Sequence, residues 1–301
     1  MTIPAPPAKL GPVMEKGIHI RHLPRMNHPV LIAGFDGWGN ALNVSEGMVA
    51  YLIRKLRAES FADLNPDLYF RYDSNRPIVE IETGEITAIS LPEGSFYWAS
   101  TAEGRGDILI LKSHEPNLNW RHFAGELMAF CRELGVRMII TLGGMYDNVL
   151  HSDRFMSGIA SDETLSALLK NKGLAPITYK GPSAIHSVLL TEGKKMGYDC
   201  LSIWCHCPYY LEGITHFGLL AHLGSLLASL GDFELDTSDM EKQWKELNLQ
   251  IQDLIEKNPQ LQEMLSEIRK EKVKGSRKNM RESSEKGQKI INLTDFIKPR
   301  A

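Results

Sequence analysis

The chain has little of what makes a site recognisable at sight. Cysteine is scarce: Cys131, Cys200, Cys205 and Cys207 are the four in 301 residues. They sit in apolar surroundings without framework spacing, which excludes a disulfide-stapled secreted fold. No run approaches the roughly 20 apolar residues of a membrane span; the longest, Phe217 to Leu230, is broken by His222, glycines and serines. The opening MTIPAPPAKLGPV has no apolar signal core. No serine stands in G-x-S-x-G, no H-E-x-x-H occurs, and no Gly-Lys-Ser/Thr follows a glycine loop, so the common hydrolase, zinc-protease and nucleotide motifs are missing. RNA-binding and helix-turn-helix signatures are missing too, so nucleic acid is not an expected partner. These gaps predict a reduced, cytoplasmic protein off the membrane, with no metal and no cofactor.

Hydrophobic content of 43% and charged content of 24% are those of an ordinary globular chain. Its length allows one large domain with an appendage. Short β-rich runs alternate with helical ones. PVLIAGF (29–35), DILILKSHEPN (107–117), RMIITLGG (137–144) and DCLSIWCHCPYYL (199–211) read as buried strands with their loops. Between them, SEGMVAYLIRKL, WRHFAGELMAFCRELG, SDETLSALLKNKG and SAIHSVLLTEGKKMG carry helical periodicity and glycine stops. LYFRYD alternates, and IVEIETGEITAISLP reads as a hairpin turning at Thr83-Gly84. Apolar strands separated by helices predict an α/β fold, a three-layer α/β/α sandwich around a mostly parallel mixed sheet, the hairpin adding an antiparallel element.

After Gly231 the character changes. Ser238 and Glu241 have capping-box spacing, and Met240, Trp244, Leu247, Ile251, Leu254 and Ile255 form a helical stripe. Asn258-Pro259 separates it from a second stripe through Ile268. The expected organisation is an N-terminal arm (1–28), an α/β core (29–236), a helical hairpin (237–268) and a basic tail (269–301). From Arg269 onward the net charge is +7, leaving −10 on the remainder. The lysine- and serine-rich part of the tail predicts disorder, closed by an apolar end with Ile290 and Phe296. Trp244, Ile290 and Phe296 are candidates for a partner surface.

Ligands of parallel sheets bind beyond the strand carboxyl ends. The candidates there are Asp36, Trp38 and Asn40 in GFDGWGNALN, Gly143 and Gly144 behind the next long strand, Asp147, and His206. Glycines permit tight turns or close approach of a ligand to backbone, and a helix start offers free N–H groups to an anion. In WCHCP an extended chain puts Cys205 and Cys207 on one side and His206 on the other, so the three cannot converge on a metal. The fourfold set Asp147, His151, Asp153 and Arg154 is compatible with acid–base chemistry, and equally with an ordinary surface loop.

The blocks LIAGFDGWGNALNVSEGMVAYL, RMIITLGGMYDNVLHSD and YKGPSAIHSVLLTEGKKMGYDCLSIWCHCPYYL, with the long helix after them, resemble the proteasome assembly chaperone 2 family in its bacterial and archaeal branch. The resemblance spans about Val30 to Ile268. It implies an α/β/α domain similar to the phosphorylase/hydrolase fold, and a non-enzymatic assembly chaperone or scaffold. The implied partners are itself, as a homo-oligomer with a trimer among the states, and a protein complex. Some relatives dock on proteasome cores through a terminal hydrophobic–Tyr–any tripeptide; this sequence ends Pro299-Arg300-Ala301 and departs from it. The alternative is a binder or enzyme for a nucleoside or phosphate-bearing ligand in the strand-end cleft.

Overall fold

A computed structural model describes residues 16–101 and 105–273. Ile290, Phe296 and most of the basic tail lie outside these residues. In chain order the elements are β1 (Ile18–Ile20), β2 (Val30–Asp36), α1 (Val44–Leu56), β3 (Glu59–Leu64), α2 (Pro66–Tyr69), β4 (Ile78–Glu82), β5 (Glu85–Ser90), β6 (Gly94–Ala99), β7 (Ile108–His114), α3 (Trp120–Glu133), β8 (Met138–Asp147), β9 (Met156–Ala160), α4 (Glu163–Asn171), β10 (Ala175–Pro176), α5 (Ile185–Lys195), β11 (Asp199–Pro208), α6 (Phe217–Gly231), α7 (Ser238–Lys257) and α8 (Pro259–Val273).

Nine strands form one mixed sheet in the order β1-β3-β6-β7-β2-β8-β11-β9-β10. Its centre, β7-β2-β8-β11, is parallel. Strands β3 and β6, and β9 beside β11, pair antiparallel toward the two edges. Successive side chains of a strand alternate faces, so β2 feeds two cores at once. Val30 and Ile32 face α1, α6 and α7, while Leu31, Ala33 and Phe35 face α3 and α5. This is the expected α/β/α layering.

Three local readings change. LYFRYD holds a helix and a turn: Asn65 accepts from Asp67 N–H at 3.1 Å with Pro66 in the first turn, which starts α2 and ends any extended run. The expected hairpin does form, with Thr83 and Gly84 both at positive φ (51° and 91°), as a two-residue turn requires. It does not join the main sheet; β4 and β5 pair only with each other. The sheet's antiparallel part comes instead from ESFADL, GSFYWA and MSGIA, runs too short and too mixed in polarity to be read as strands.

The helical hairpin α7–α8 packs on α6 as one extension of the core. The capping box is absent: the N-cap is Thr237 with no side-chain cap bond, and Glu241 instead takes both forks of Arg154 at 2.8 and 2.9 Å. A charged, bidentate partner outcompetes a local backbone bond. Helix α8 runs to Val273, beyond the boundary at Ile268 that its apolar stripe suggests.

Candidate functional site

The strand ends are the place to look, and the chain's own atoms fill them. Asn40, in the turn after β2, is a hub. Its Oδ1 accepts from the N–H groups of Ser45 (2.9 Å) and Glu46 (3.3 Å), satisfying donors at the start of α1. Its Nδ2 donates to Asp36 (3.2 Å) and Asn43 (2.8 Å). Asp36 also pairs with His114 at 3.2 Å. That hydrogen bond lowers the Asp36 pKa and raises that of His114, so each favours the other's charge. Ser45 Oγ takes the Phe35 N–H (2.9 Å) and donates to Leu142 O (2.7 Å), stitching β2 to β8. The helix N–H groups that could have met an anion are thus spent on a side chain.

Gly143 and Gly144 sit inside β8, which runs on to Asp147, and not in the loop that the sequence suggests. A Cβ on Gly143 would stand 2.7 Å from the Trp204 ring, and one on Gly144 2.5 Å from Val44 and 2.7 Å from Ala41 O. The glycines clear space for Trp204 and for the turn after β2. Trp38 differs from its neighbours: it is 63% exposed. A shallow pocket of about 60 Å³ opens nearby, lined by Asp36, Glu93, Ser95, Tyr97, Lys112 and His114 among others. Lys112 there already pairs with Glu46 at 3.1 Å.

Asp147 and His206 do come together. His206 Nδ1 lies 2.7 Å from Asp147 Oδ2, and its Nε2 lies 2.8 Å from Ser157 Oγ. The order Asp–His–Ser is that of a nucleophilic relay. Parallel pairing of β8 with β11 brings Asp147 close to His206, and antiparallel β9 returns Ser157 beside them. Ser157, however, is 1% exposed, and its hydroxyl has no open face for a substrate. No sequence signal marked Ser157; MSGIA has no motif around it. Cys205 and Cys207 face the opposite side from His206, as extended geometry requires, and burial pushes the Cys205 thiol up to about 12. Among the described residues, no three of His, Cys, Asp and Glu gather as metal ligands.

Farther along the same loop, Asp153 accepts from Leu150 N–H at 2.9 Å and Arg154 is held by Glu241. His151 turns inward, its N–H and Nδ1 on the Tyr210 hydroxyl at 2.7 and 2.9 Å. His216 donates Nε2–H to His151 O (2.8 Å) and accepts from Leu219 N–H (3.1 Å). Trp244 stacks on His216 with centroids 4.3 Å apart and planes at 17°. Trp244 is therefore buried as the clasp between α7 and α6.

The comparisons agree with this architecture. The PAC2 family profile matches residues 31–255. A PAC2 family protein from Streptomyces avermitilis shares 26% identity, with 79% of this chain and 99% of that one covered, at a TM-score of 0.70. A Mycobacterium tuberculosis proteasome-assembly chaperone homologue shares 24% over 78% of this chain and 99% of that one, at a TM-score of 0.70. The Pyrococcus furiosus protein PbaB, an archaeal proteasome activator, shares 20% over 80% and 99% of the two chains, at 0.62. No curated protein matches. With its profile match covering the α/β core and most of α7, this chain belongs to the PAC2 family.

Proposed function

We propose that the protein is a non-enzymatic, oligomeric scaffold of the cytoplasm that binds subunits of a larger protein complex, as an assembly chaperone does. One observation carries the reading. On one face the β4–β5 ribbon holds Val79, Ile81, Ile86 and Ile89 at 48–64% exposure. Contiguous exposed apolar area of this kind marks a protein–protein surface. The strand-end residues support it from the other side, because Asp36, Asn40, Gly143 and Gly144 serve the fold itself. The relatives described as proteasome-assembly chaperone homologue and proteasome activator point to the same kind of partner. The test is a photo-cross-linking residue at Ile86 in the protein's own host. A defined partner subunit in the cross-linked band supports the reading; bands containing only this chain remove the chaperone part of it.

A second reading rests on Asp147–His206–Ser157. In it, a covered relay opens to a small ligand, ester or phosphate-bearing, at the carboxyl ends of β8 and β11. A fluorophosphonate labels such a serine: the Ser157 Oγ–P bond forms, fluoride leaves, and His206 takes the hydroxyl proton. An adduct on Ser157 that disappears in His206→Gln supports it. An unmodified intact mass, together with no thermal shift from nucleosides or phosphate, ends it.

A further inference from the structure

The β4–β5 ribbon is amphipathic. Its register places Val79 opposite Ile89 and Ile81 opposite Ile86, and a bulge after Glu80 keeps both pairs on one face. Glu80, Glu82 and Glu85 take the other face. Every ribbon residue but Ala88 is exposed, so nothing among the described residues covers the aliphatic face. An isolated two-stranded ribbon is marginal in water and gains its stability by being covered.

The ribbon grows from the corner of the sheet at which the described chain begins. β1 pairs with β3 from Ile18 opposite Leu64, and Asn65 N–H donates to Gly17 O at 2.9 Å. Leu64 packs on Gly94, the residue at which the chain re-enters the sheet after the ribbon, and a Cβ there would overlap the leucine. Gly17 lies just as closely on the Tyr69 hydroxyl, in the helix that leads out to the ribbon. Residues 1–15 therefore start two strand places from β6, roughly 10 Å from the ribbon's root. Their sequence, MTIPAPPAKLGPVME, is apolar and nearly uncharged, with Ile3, Leu10, Val13, Met14, four prolines, one Lys and one Glu.

From this placement we infer that residues 1–15 lie across the Val79–Ile81–Ile86–Ile89 face of their own ribbon, as a cover that a partner subunit displaces. The cover stands on the placement alone; its role as a gate deepens the scaffold reading and rests on it. Four considerations select this occupant. At about 3.1 Å per residue for a proline-rich chain, fifteen residues reach roughly 46 Å, while a strand of six residues is about 20 Å long. Both surfaces are aliphatic, so the contact needs no charge pairing. Pro4, Pro6, Pro7 and Pro12 have no N–H to give a ladder, which turns the segment from the ribbon's edge to its face. A short tether holds the segment at an effective concentration on the order of 1 mM, which an untethered copy at micromolar level does not match. The other apolar segment, Ile290 to Ile297, is rooted farther away. Arg269 in α8 is within electrostatic reach of His151 and Tyr210, beyond β8 and β11, and a basic stretch follows before Ile290.

The test puts a photo-cross-linking residue at Ile86 of the purified full chain. Irradiation should join position 86 to residues 1–15. In an equal mixture of natural and heavy-isotope chains, each adduct should carry a single isotope, as a contact within one chain requires. Ile3→Ser with Leu10→Ser and Val13→Ser should abolish that adduct and leave the melting of the α/β core unchanged. In the host, the same triple variant should raise capture of a partner subunit at position 86 about fivefold, as a cover closed about four-fifths of the time dictates. Adducts on 290–297, adducts of mixed isotope, or no adduct on 1–15 overturn the inference. Equal capture of a partner by wild type and variant removes the gate. A captured partner without any adduct on 1–15 sinks the cover and leaves the scaffold reading standing. An adduct on 1–15 with no partner captured by either form keeps the cover and ends the scaffold reading.

Discussion

Gly143 illustrates how one residue type can serve more than one purpose. Glycine behind a strand suggests backbone approaching a ligand, yet here the missing Cβ leaves room for the Trp204 ring. Gly143→Ala should therefore lower stability by about 1–3 kcal/mol, as overpacking does, read as a shift in the urea midpoint with no ligand present. Gly144→Ala should cost at least as much, because Ala41 O is backbone and cannot swing away. Histidine gives the second prediction at this scale. Burial lowers His186 and His216 to about 4 from an ordinary 6.5. The unfolded chain protonates these rings near 6.5 while the folded one stays neutral until about 4. Their contribution is thus whole above 6.5 and is lost as pH falls toward 4, up to about 3 kcal/mol each. Unfolding at pH 5 should take up about one proton fewer in His216→Gln than in wild type, measured by calorimetry in buffers of different ionisation enthalpy.

The C-terminal helices are the element whose attachment most depends on single contacts. Trp244 seats on His216 and against Gly218, where a Cβ would stand 2.7 Å from the indole. Trp244→Ala should cost about 3–5 kcal/mol, the range for an emptied aromatic site. Proteolysis should then cut first within α7 and α8, before the α/β core. Glu241→Gln should cost only about 1 kcal/mol, since the Arg154–Glu241 pair is partly exposed, its side chains 30% and 38% accessible. The stripe from Met240 to Ile255 was legible in the sequence because helical periodicity is local. The failed capping box shows the limit of such reading: Arg154 lies 87 residues away, and nothing in S-D-M-E announces it.

At the scale of the molecule, order is unevenly supported. The parallel centre β7-β2-β8-β11 is buried on both faces, whereas the β4–β5 ribbon is exposed throughout apart from Ala88. In a single-chain form, ribbon amides should exchange within seconds while those of β2 and β8 exchange slowest, as local contact density dictates. Deuterium uptake by mass spectrometry checks this. The hairpin itself was legible, through its alternation and Thr83-Gly84. Its separation from the sheet was not, because pairing partners are chosen by whole strands and not by the turn.

The sequence by itself determined the layered α/β class, the four central strands, the paired C-terminal helices and the family resemblance. The class, strands and helices follow from periodicity and punctuation within a few residues, and the resemblance from the order of whole sequence blocks. Only the tertiary structure decided what the candidate residues do. Asp147, His206 and Ser157 meet across separations of 59 and 49 residues. Trp244 turns inward, Asn40 becomes a hub for a helix start, and the ribbon stands clear of the sheet. Each outcome depends on which faces meet after folding, and that depends on packing between distant segments, which no local pattern encodes.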